Sequence, residues 1–245
     1  MKILAIDTTG AVSSTALIEK DSARARVLAE FAINDGRNHS LSIMPAVARL
    51  LETSDHGLAG VDFLACASGP GSFTGLRIGA ATVRALAHGL FLATGRPAAI
   101  IPVSSLDALA YNIYDTSRII VPVMDARRGE VYSALYKWCG FRLSRLTEYL
   151  NAGLEEVLTL AARQGADAVF TGDGVVPYGA AIRAKGFDTA PEYFLRQRAG
   201  AVGMLAAGAD PSEYADYRTF LPFYLRKPQA ERESAGSSGQ VINHE

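Results

Sequence analysis

Ile3-Leu4-Ala5-Ile6-Asp7 is an apolar run closed by a carboxylate, and Ile119-Ile120-Val121-Pro122-Val123-Met124-Asp125 repeats the pattern after the midpoint of the chain. Setting Asp7 over Asp125 also sets Thr15 over Ser133, Ala16 over Ala134 and Leu17 over Leu135 without a gap. Each copy reads as a buried strand ending in Asp, a short loop and a returning strand. A third strand completes each meander, Arg26 to Ile33 after Thr15 to Glu19, and Phe141 to Tyr149 after Val131 to Tyr136.

Helices and strands alternate after both meanders. The first is followed by a helix from Asn38 to Thr53, a strand from Val61 to Ser68, a helix from Thr74 to Ala93 and a strand from Ala98 to Val103. The second leads into a helix at Leu154 to Arg163, a strand at Ala168 to Thr171, and helices at Tyr178 to Lys185 and Gly200 to Ala209. Between the halves, Ser104-Ser105-Leu106-Asp107 has capping-box spacing and starts a helix. This pattern predicts an α/β chain of two similar lobes, 1–103 and 104–226, each a mixed sheet with helices packed on it. The final segment, 227–245, is rich in Gly, Ser, Glu and Gln and poor in large apolar groups, and is expected to be disordered.

The chain has 245 residues, 49% hydrophobic and 20% charged, with a net charge of −1. That balance gives no footprint for autonomous nucleic-acid binding, which needs clustered Lys and Arg. Two cysteines, Cys66 and Cys139, make neither a disulfide framework nor a metal cluster. The opening Met1-Lys2-Ile3-Leu4-Ala5-Ile6-Asp7 is too short an apolar stretch for a signal or a spanning helix, so the expectation is a cytoplasmic protein with no membrane role.

Ser68-Gly69-Pro70-Gly71-Ser72-Phe73-Thr74-Gly75-Leu76-Arg77-Ile78-Gly79 joins a buried strand to a helix N-terminus. It lacks the Lys-Ser/Thr pair of a Walker loop, and Thr74 stands where the dinucleotide motif needs its third glycine. Its backbone N–H groups can hold an anion weakly. Gly75, Gly79 and Val83 lie at i, i+4 and i+8, a smooth face that either packs on the protein's own sheet or meets another chain. Asp7-Thr8-Thr9 and Asp125 occupy matching strand ends, where a duplicated ATPase would hold a metal nucleotide; the plainer reading is a turn capped by Asp7, with Arg127 and Arg128 competing for Asp125. Gly172-Asp173-Gly174 follows a strand and suits either a nucleotide contact or a tight turn. His39 is followed at i+4 by Ile43, so the two-histidine metal pair is not present.

Taken together, Ile3 to Thr8, His39 to Leu51, Gly69 to Gly79, Val103 to Leu106, Asp125-Ala126-Arg127-Arg128-Gly129-Glu130-Val131-Tyr132 and Tyr224-Leu225-Arg226 resemble the bacterial TsaB (YeaZ) family. The resemblance implies two tandem ribonuclease H-like lobes of the actin, sugar kinase and heat-shock ATPase superfamily. It also implies a noncatalytic subunit of the complex that installs threonylcarbamoyl on N6 of adenosine in tRNA. The partners it implies are a catalytic TsaD-type paralogue, which carries the metal-binding His-x-x-x-His helix, and a TsaE-type ATPase, with tRNA met only indirectly. The interface is expected at His39, Ser42, Thr74, Gly75, Ile78, Gly79, Thr82 and Val83, and the same helices are available for a homodimer. No cofactor, metal or catalytic residue is expected; a nucleotide, if held, would fall to Asp7, Thr8, Thr9, Gly172 and Gly174. The alternative is a small ATP-dependent phosphotransferase or peptidase-like hydrolase on the same fold.

Overall fold

The computed structural model describes residues 1–34, 38–114, 116–165 and 167–226. The tail expected to be disordered, 227–245, lies outside the described residues. The first sheet has the order β3-β2-β1-β4-β5, built from β1 (Lys2–Asp7), β2 (Ser13–Lys20), β3 (Ala25–Ile33), β4 (Phe63–Gly69) and β5 (Ile100–Ser104). The meander β1-β2-β3 is antiparallel, and β4 and β5 run parallel to β1. β1 is buried from Ile3 to Asp7, which is why it reads as a continuous apolar run rather than an alternating one.

The helices α1 (His39–Thr53) and α2 (Phe73–Thr94) share one core with Leu4, Ile6, Leu17 and Leu64. Asn38 caps α1 through Ser40 N–H, Ser72 caps α2 through Gly75 N–H, and Gly95 closes α2 in the left-handed conformation at φ 68°. α2 is long and apolar enough to cross a bilayer, but its inner side, Leu76, Val83, Leu86 and Leu90, is consumed by the core. Gly75 and Gly79 set how closely it lies. A methyl at Gly75 would run into the Thr8 carbonyl oxygen, and one at Gly79 would sit 2.7 Å from Thr8 Oγ1.

The second sheet contains β6 (Ile119–Arg127), β7 (Glu130–Ser133), β10 (Leu150–Gly153), β11 (Ala168–Thr171) and β12 (Asp188–Thr189), with β8 (Tyr136–Cys139) and β9 (Arg142–Arg145) paired beside β6. The helices α4 (Leu154–Gln164) and α5 (Val175–Ala184) follow the order of the first lobe. The two lobes are thus tandem ribonuclease H-like units. Two expectations change here. The run Val131 to Tyr136 is not one strand: after Ser133 the chain leaves β10, and Tyr136 begins a separate hairpin with β9. The expected strand Phe141 to Tyr149 shortens to β9, Arg142–Arg145, and the strand that pairs with β7 is β10, which begins only at Leu150. Moreover, Met124 pairs with Tyr132 where Ile6 pairs with Thr15, so the gapless repeat slips by one position at the bulge near Ala126.

The third helices are exchanged between lobes. Leu106 and Leu109 of α3 (Ser105–Tyr111) join the core of the second lobe, whereas α6 (Ala199–Ala207) lies on the first sheet with Ile3, Ala5, Ala16 and Ile18. α6 is held at both ends by the first lobe. Glu30 accepts from Gly200 N–H at 2.9 Å, and Lys20 Nζ donates to the Ala207 carbonyl, charges that suit the two poles of a helix. The later chain stays there: Ala215 bridges Ile100 and Phe220 enters the α1–α2 core. Residues 199–220 therefore pack with the first lobe and not, as the sequence reading had it, with the second. Ser104 caps α3, but Asp107 does not return the bond; its Oδ1 accepts instead from Tyr136 Oη at 2.6 Å and Tyr149 Oη at 3.0 Å.

Because the obstacle at Gly75 is backbone, Gly75→Ala is expected to lower stability by about 2–3 kcal/mol through overpacking. Nothing lies within 4 Å of a methyl at Gly89, and Gly89→Ala is expected to add about 0.5–1 kcal/mol. Urea unfolding of the two variants beside the parent checks both signs.

Candidate functional site

The lobes enclose a cleft of about 1070 Å³, lined from the first lobe by Thr9, the glycine loop and the start of α2, and from the second by Asp125, Arg127, Arg128 and Asp173. Arg196 and the segment Phe223 to Arg226 close its remaining sides.

Asp7 sits behind this cleft rather than in it. Its Oδ1 accepts from Thr9 N–H at 2.9 Å and from Thr9 Oγ1 at 2.7 Å, while Oδ2 is buried with no hydrogen-bond partner among the described residues. Burial pushes its pKa above the ordinary carboxylate value; the Thr9 bonds and His39 oppose the shift, and Asp173 adds to it. Thr8 Oγ1 donates to the Gly75 carbonyl at 2.7 Å, so it faces α2. The turn capped by Asp7 is thus the arrangement present, and Asp7 and Asp125 do not face one another across the cleft. Only Asp125 lines the cleft, and its Oδ1 already accepts from Arg127 N–H at 2.8 Å, with the Arg127 guanidinium 3.5 Å from Oδ2.

The aspartate that does face the cleft from the third loop is Asp173, passed over in the sequence because its glycine neighbours drew the reading. Asp125 N–H donates to its Oδ1 at 3.4 Å and Gln197 Nε2 to its Oδ2 at 3.3 Å, and burial pushes its pKa up. Gly172 and Gly174, which flank Asp173, are not among the residues that line the cleft. Gly172, at φ 95°, presses on the Val123 carbonyl, and a methyl at Gly174 would sit 2.9 Å from the same oxygen. Gln197 and Arg196 carry no motif from which they could have been singled out.

The glycine loop is likewise spent on packing. A methyl at Gly71 would lie 2.6 Å from the Thr9 carbonyl oxygen, and one at Gly69 would collide with the Phe223 carbonyl. Thr8 and Thr9 bond within the protein, to the Gly75 carbonyl and the Asp7 carboxylate, and the closeness of Gly69 and Gly71 to neighbouring carbonyls explains why these positions lack a side chain. Among the described residues, no group of three or more His, Cys, Asp or Glu side chains is placed to hold a metal ion. His39 donates from Nε2 to the Gly10 carbonyl at 2.8 Å, and Ile43, one turn on, is in the α1–α2 core.

The expected interface residues divide. Gly75, Gly79, Thr82, Val83 and Ser42 are buried in the lone chain, so the smooth face of α2 covers its own sheet and is closed to another polypeptide. Thr74 is exposed, and His39 and Ile78 are half-buried. The open surface lies on the opposite side of the same helices: Leu41, 72% exposed, and Met44, 45% exposed, on α1, with Ala81, Ala85 and Leu92 on α2. The periodicity that revealed the inner stripe also implied this outer one.

The hairpin between β6 and β7 is strained. Arg127 and Arg128 take φ 66° and 60°, ahead of Gly129 at 80°. A left-handed conformation costs an L-residue about 1–2 kcal/mol, and glycine or asparagine adopts it readily.

A family model described as TsaD, tRNA N6-adenosine threonylcarbamoyltransferase, matches residues 26–233. The chain is 34% identical over 236 residues to the tRNA threonylcarbamoyladenosine biosynthesis protein TsaB of Bacillus subtilis, spanning 94% of this chain and 96% of that one. It is 38% identical over 139 residues to the protein of the same name from Escherichia coli, across 56% of this chain and 55% of that one. A solved structure of YeaZ from Pseudomonas aeruginosa superposes with a TM-score of 0.73 at 26% identity, covering 91% of this chain and 99% of that one.

The raised pKa values carry a sign. Since the folded state holds the Asp7 proton more tightly than the unfolded chain, stability falls as pH rises from the ordinary carboxylate range through the folded-state value. Asp7→Asn, which keeps the Thr9 acceptor and removes the buried charge, is expected to raise the melting temperature at neutral pH. The gain should vanish as pH drops and the parent carboxyl becomes neutral, a trend read from thermal melts across a pH series.

Proposed function

The chain belongs to the TsaB family, whose role is in tRNA threonylcarbamoyladenosine biosynthesis, and from that premise we propose that it is a noncatalytic subunit whose outer α1–α2 surface pairs with a TsaD-type transferase. One observation carries this reading. Leu41 and Met44 on α1 and Ala81, Ala85 and Leu92 on α2 leave apolar groups uncovered, beside the exposed Arg77, Arg84 and His88 of α2, on helices whose inner sides lie in the core. Small residues at Ala81 and Ala85 allow a second helix to approach closely, and Leu41 and Met44 supply the apolar contact. A TsaE-type ATPase joins the pair, and the assembly works in the cytoplasm. In the absence of its partner, the same surface closes on a second copy of this chain.

The chain's own residues favour a supporting role over a chemical one. Ile43, where the TsaD-type helix is expected to carry its second histidine, packs at 1% exposure against Val47 and Leu50. Asp7 is tied to Thr9, and Asp125 to Arg127.

The test places charge on the outer surface only. Ala81→Glu and Leu41→Glu are expected to weaken pairing with the TsaD-type partner by about 100-fold, the scale of a hot-spot loss, while the melting temperature of the lone chain stays within a few degrees. Light scattering after size exclusion, on each variant mixed with the partner, reads the pairing. Undiminished complex with both variants would overturn the assignment.

A further inference from the structure

The near-neutral charge of the whole chain conceals a local concentration. Arg77, Arg127, Arg128, Arg196 and Arg226 all line the cleft between the lobes, against Asp125 and Asp173 as its acidic lining residues. Such a concave cationic surface raises the local concentration of anions whatever the total charge. Arg128 is exposed and without an ion-pair partner among the described residues, and Arg127 remains 87% exposed despite its contact with Asp125. Arg196 and Arg226 are partly neutralised by Glu192 and Glu130.

Flat apolar groups are interleaved with these charges. The Arg77 guanidinium lies 4.0 Å from the ring centre of Phe73, which is 39% exposed and stands 5.4 Å from Tyr224. Phe223, 43% exposed, lies on the same cleft. Guanidinium groups alternating with aromatic faces suit a ligand made of phosphates and unstacked bases.

The strained hairpin adds an independent argument. Arg127 and Arg128 hold left-handed backbone at the edge of the cleft, where glycine or asparagine would be the relaxed choice. Stability alone therefore gives no reason for two arginines there, and the cationic groups they present do.

We propose that this cleft binds single-stranded RNA, with phosphodiester groups on the arginines of the hairpin and unpaired bases against Phe73 and Phe223. The choice of RNA rests on the reading of the chain as a TsaB-type subunit; the choice of single strand rests on the aromatic faces, which duplexed bases cannot reach. Direct contact replaces the expectation that tRNA is met only through the partners.

The experiment is fluorescence anisotropy of a labelled single-stranded oligoribonucleotide with the full chain over a potassium chloride series. Saturable binding is expected, weakening with salt at a log–log slope of about −2, which corresponds to roughly three phosphates at about −0.7 each. Arg128→Gly is expected to weaken binding by about fivefold to tenfold and flatten the slope, with the melting temperature unchanged or raised and pairing with the TsaD-type partner intact. Phe223→Ala is expected to weaken binding by about tenfold with the slope unchanged. The proposal is overturned if no saturable binding occurs, if Arg128→Gly binds like the parent or loses partner pairing as well, if duplex RNA binds equally, or if AMP at the same phosphate concentration displaces the strand fully. Undiminished partner pairing in Ala81→Glu and Leu41→Glu, with saturable RNA binding observed, would remove the interface reading and leave this one standing.

Discussion

The contact on which the rest of the structure depends is the seat of α2 on the end of β1. Thr8 Oγ1 donates to the Gly75 carbonyl, and the missing side chains at Gly75 and Gly79 let the helix descend onto Thr8. This approach fixes three things at once. It delivers Leu76, Val83 and Leu90 into the core, brings the start of α2 to the cleft, and turns the other side of the helix to solvent. A helix so seated cannot offer its glycine stripe to a partner, because a protein interior has no slack for two occupants.

The lobes are joined by exchange as well as by tandem order. With α3 in the second core and α6 on the first sheet, separating the lobes would expose apolar surface on both sides. Glu30 reinforces the exchange by serving two groups of the returning chain, the Arg198 guanidinium and Gly200 N–H. The cleft is consequently a product of the fold, walled by segments that the core holds in place. Its lining combines loops drawn tight by glycines, Gly71 on Thr9 and Gly172 on Val123, with arginines from four separate stretches of sequence.

Much of this was legible in the sequence, for local reasons. Apolar runs ending in Asp7 and Asp125, helical periodicity in α1, α2 and α4, and the Ser104 cap all report the conformation of their own residues. What could not be read depends on contacts between distant segments. The apolar stretch from Val131 to Tyr136 looks like one strand because both β7 and β8 are buried on alternate positions and both pair with β6, although their other partners differ, β10 for β7 and β9 for β8. Likewise, the nine residues of α6 are apolar all round, so no periodicity says which sheet they cover. At the candidate site, the glycines were visible but each carried two readings: Gly75 and Gly79 a face for the protein's own sheet or for another chain, and Gly172 and Gly174 a tight turn or a nucleotide contact. Glycine marks a close approach without naming what approaches. Total charge failed for the same reason, since the five cleft arginines meet only in three dimensions.

The central claim is that α1 and α2 spend one side on their own sheet and present the other to a TsaD-type partner. Cysteine alkylation measures this directly, with Leu41→Cys and Ala81→Cys introduced singly and the native thiols as internal standards, Cys139 exposed and Cys66 buried. In the lone chain, diluted until light scattering shows a monomer, both new thiols should react as fast as Cys139; on addition of the partner their rates should fall toward that of Cys66 while Cys139 keeps its own. Unchanged alkylation of both positions in a mixture shown to contain the complex would contradict the account.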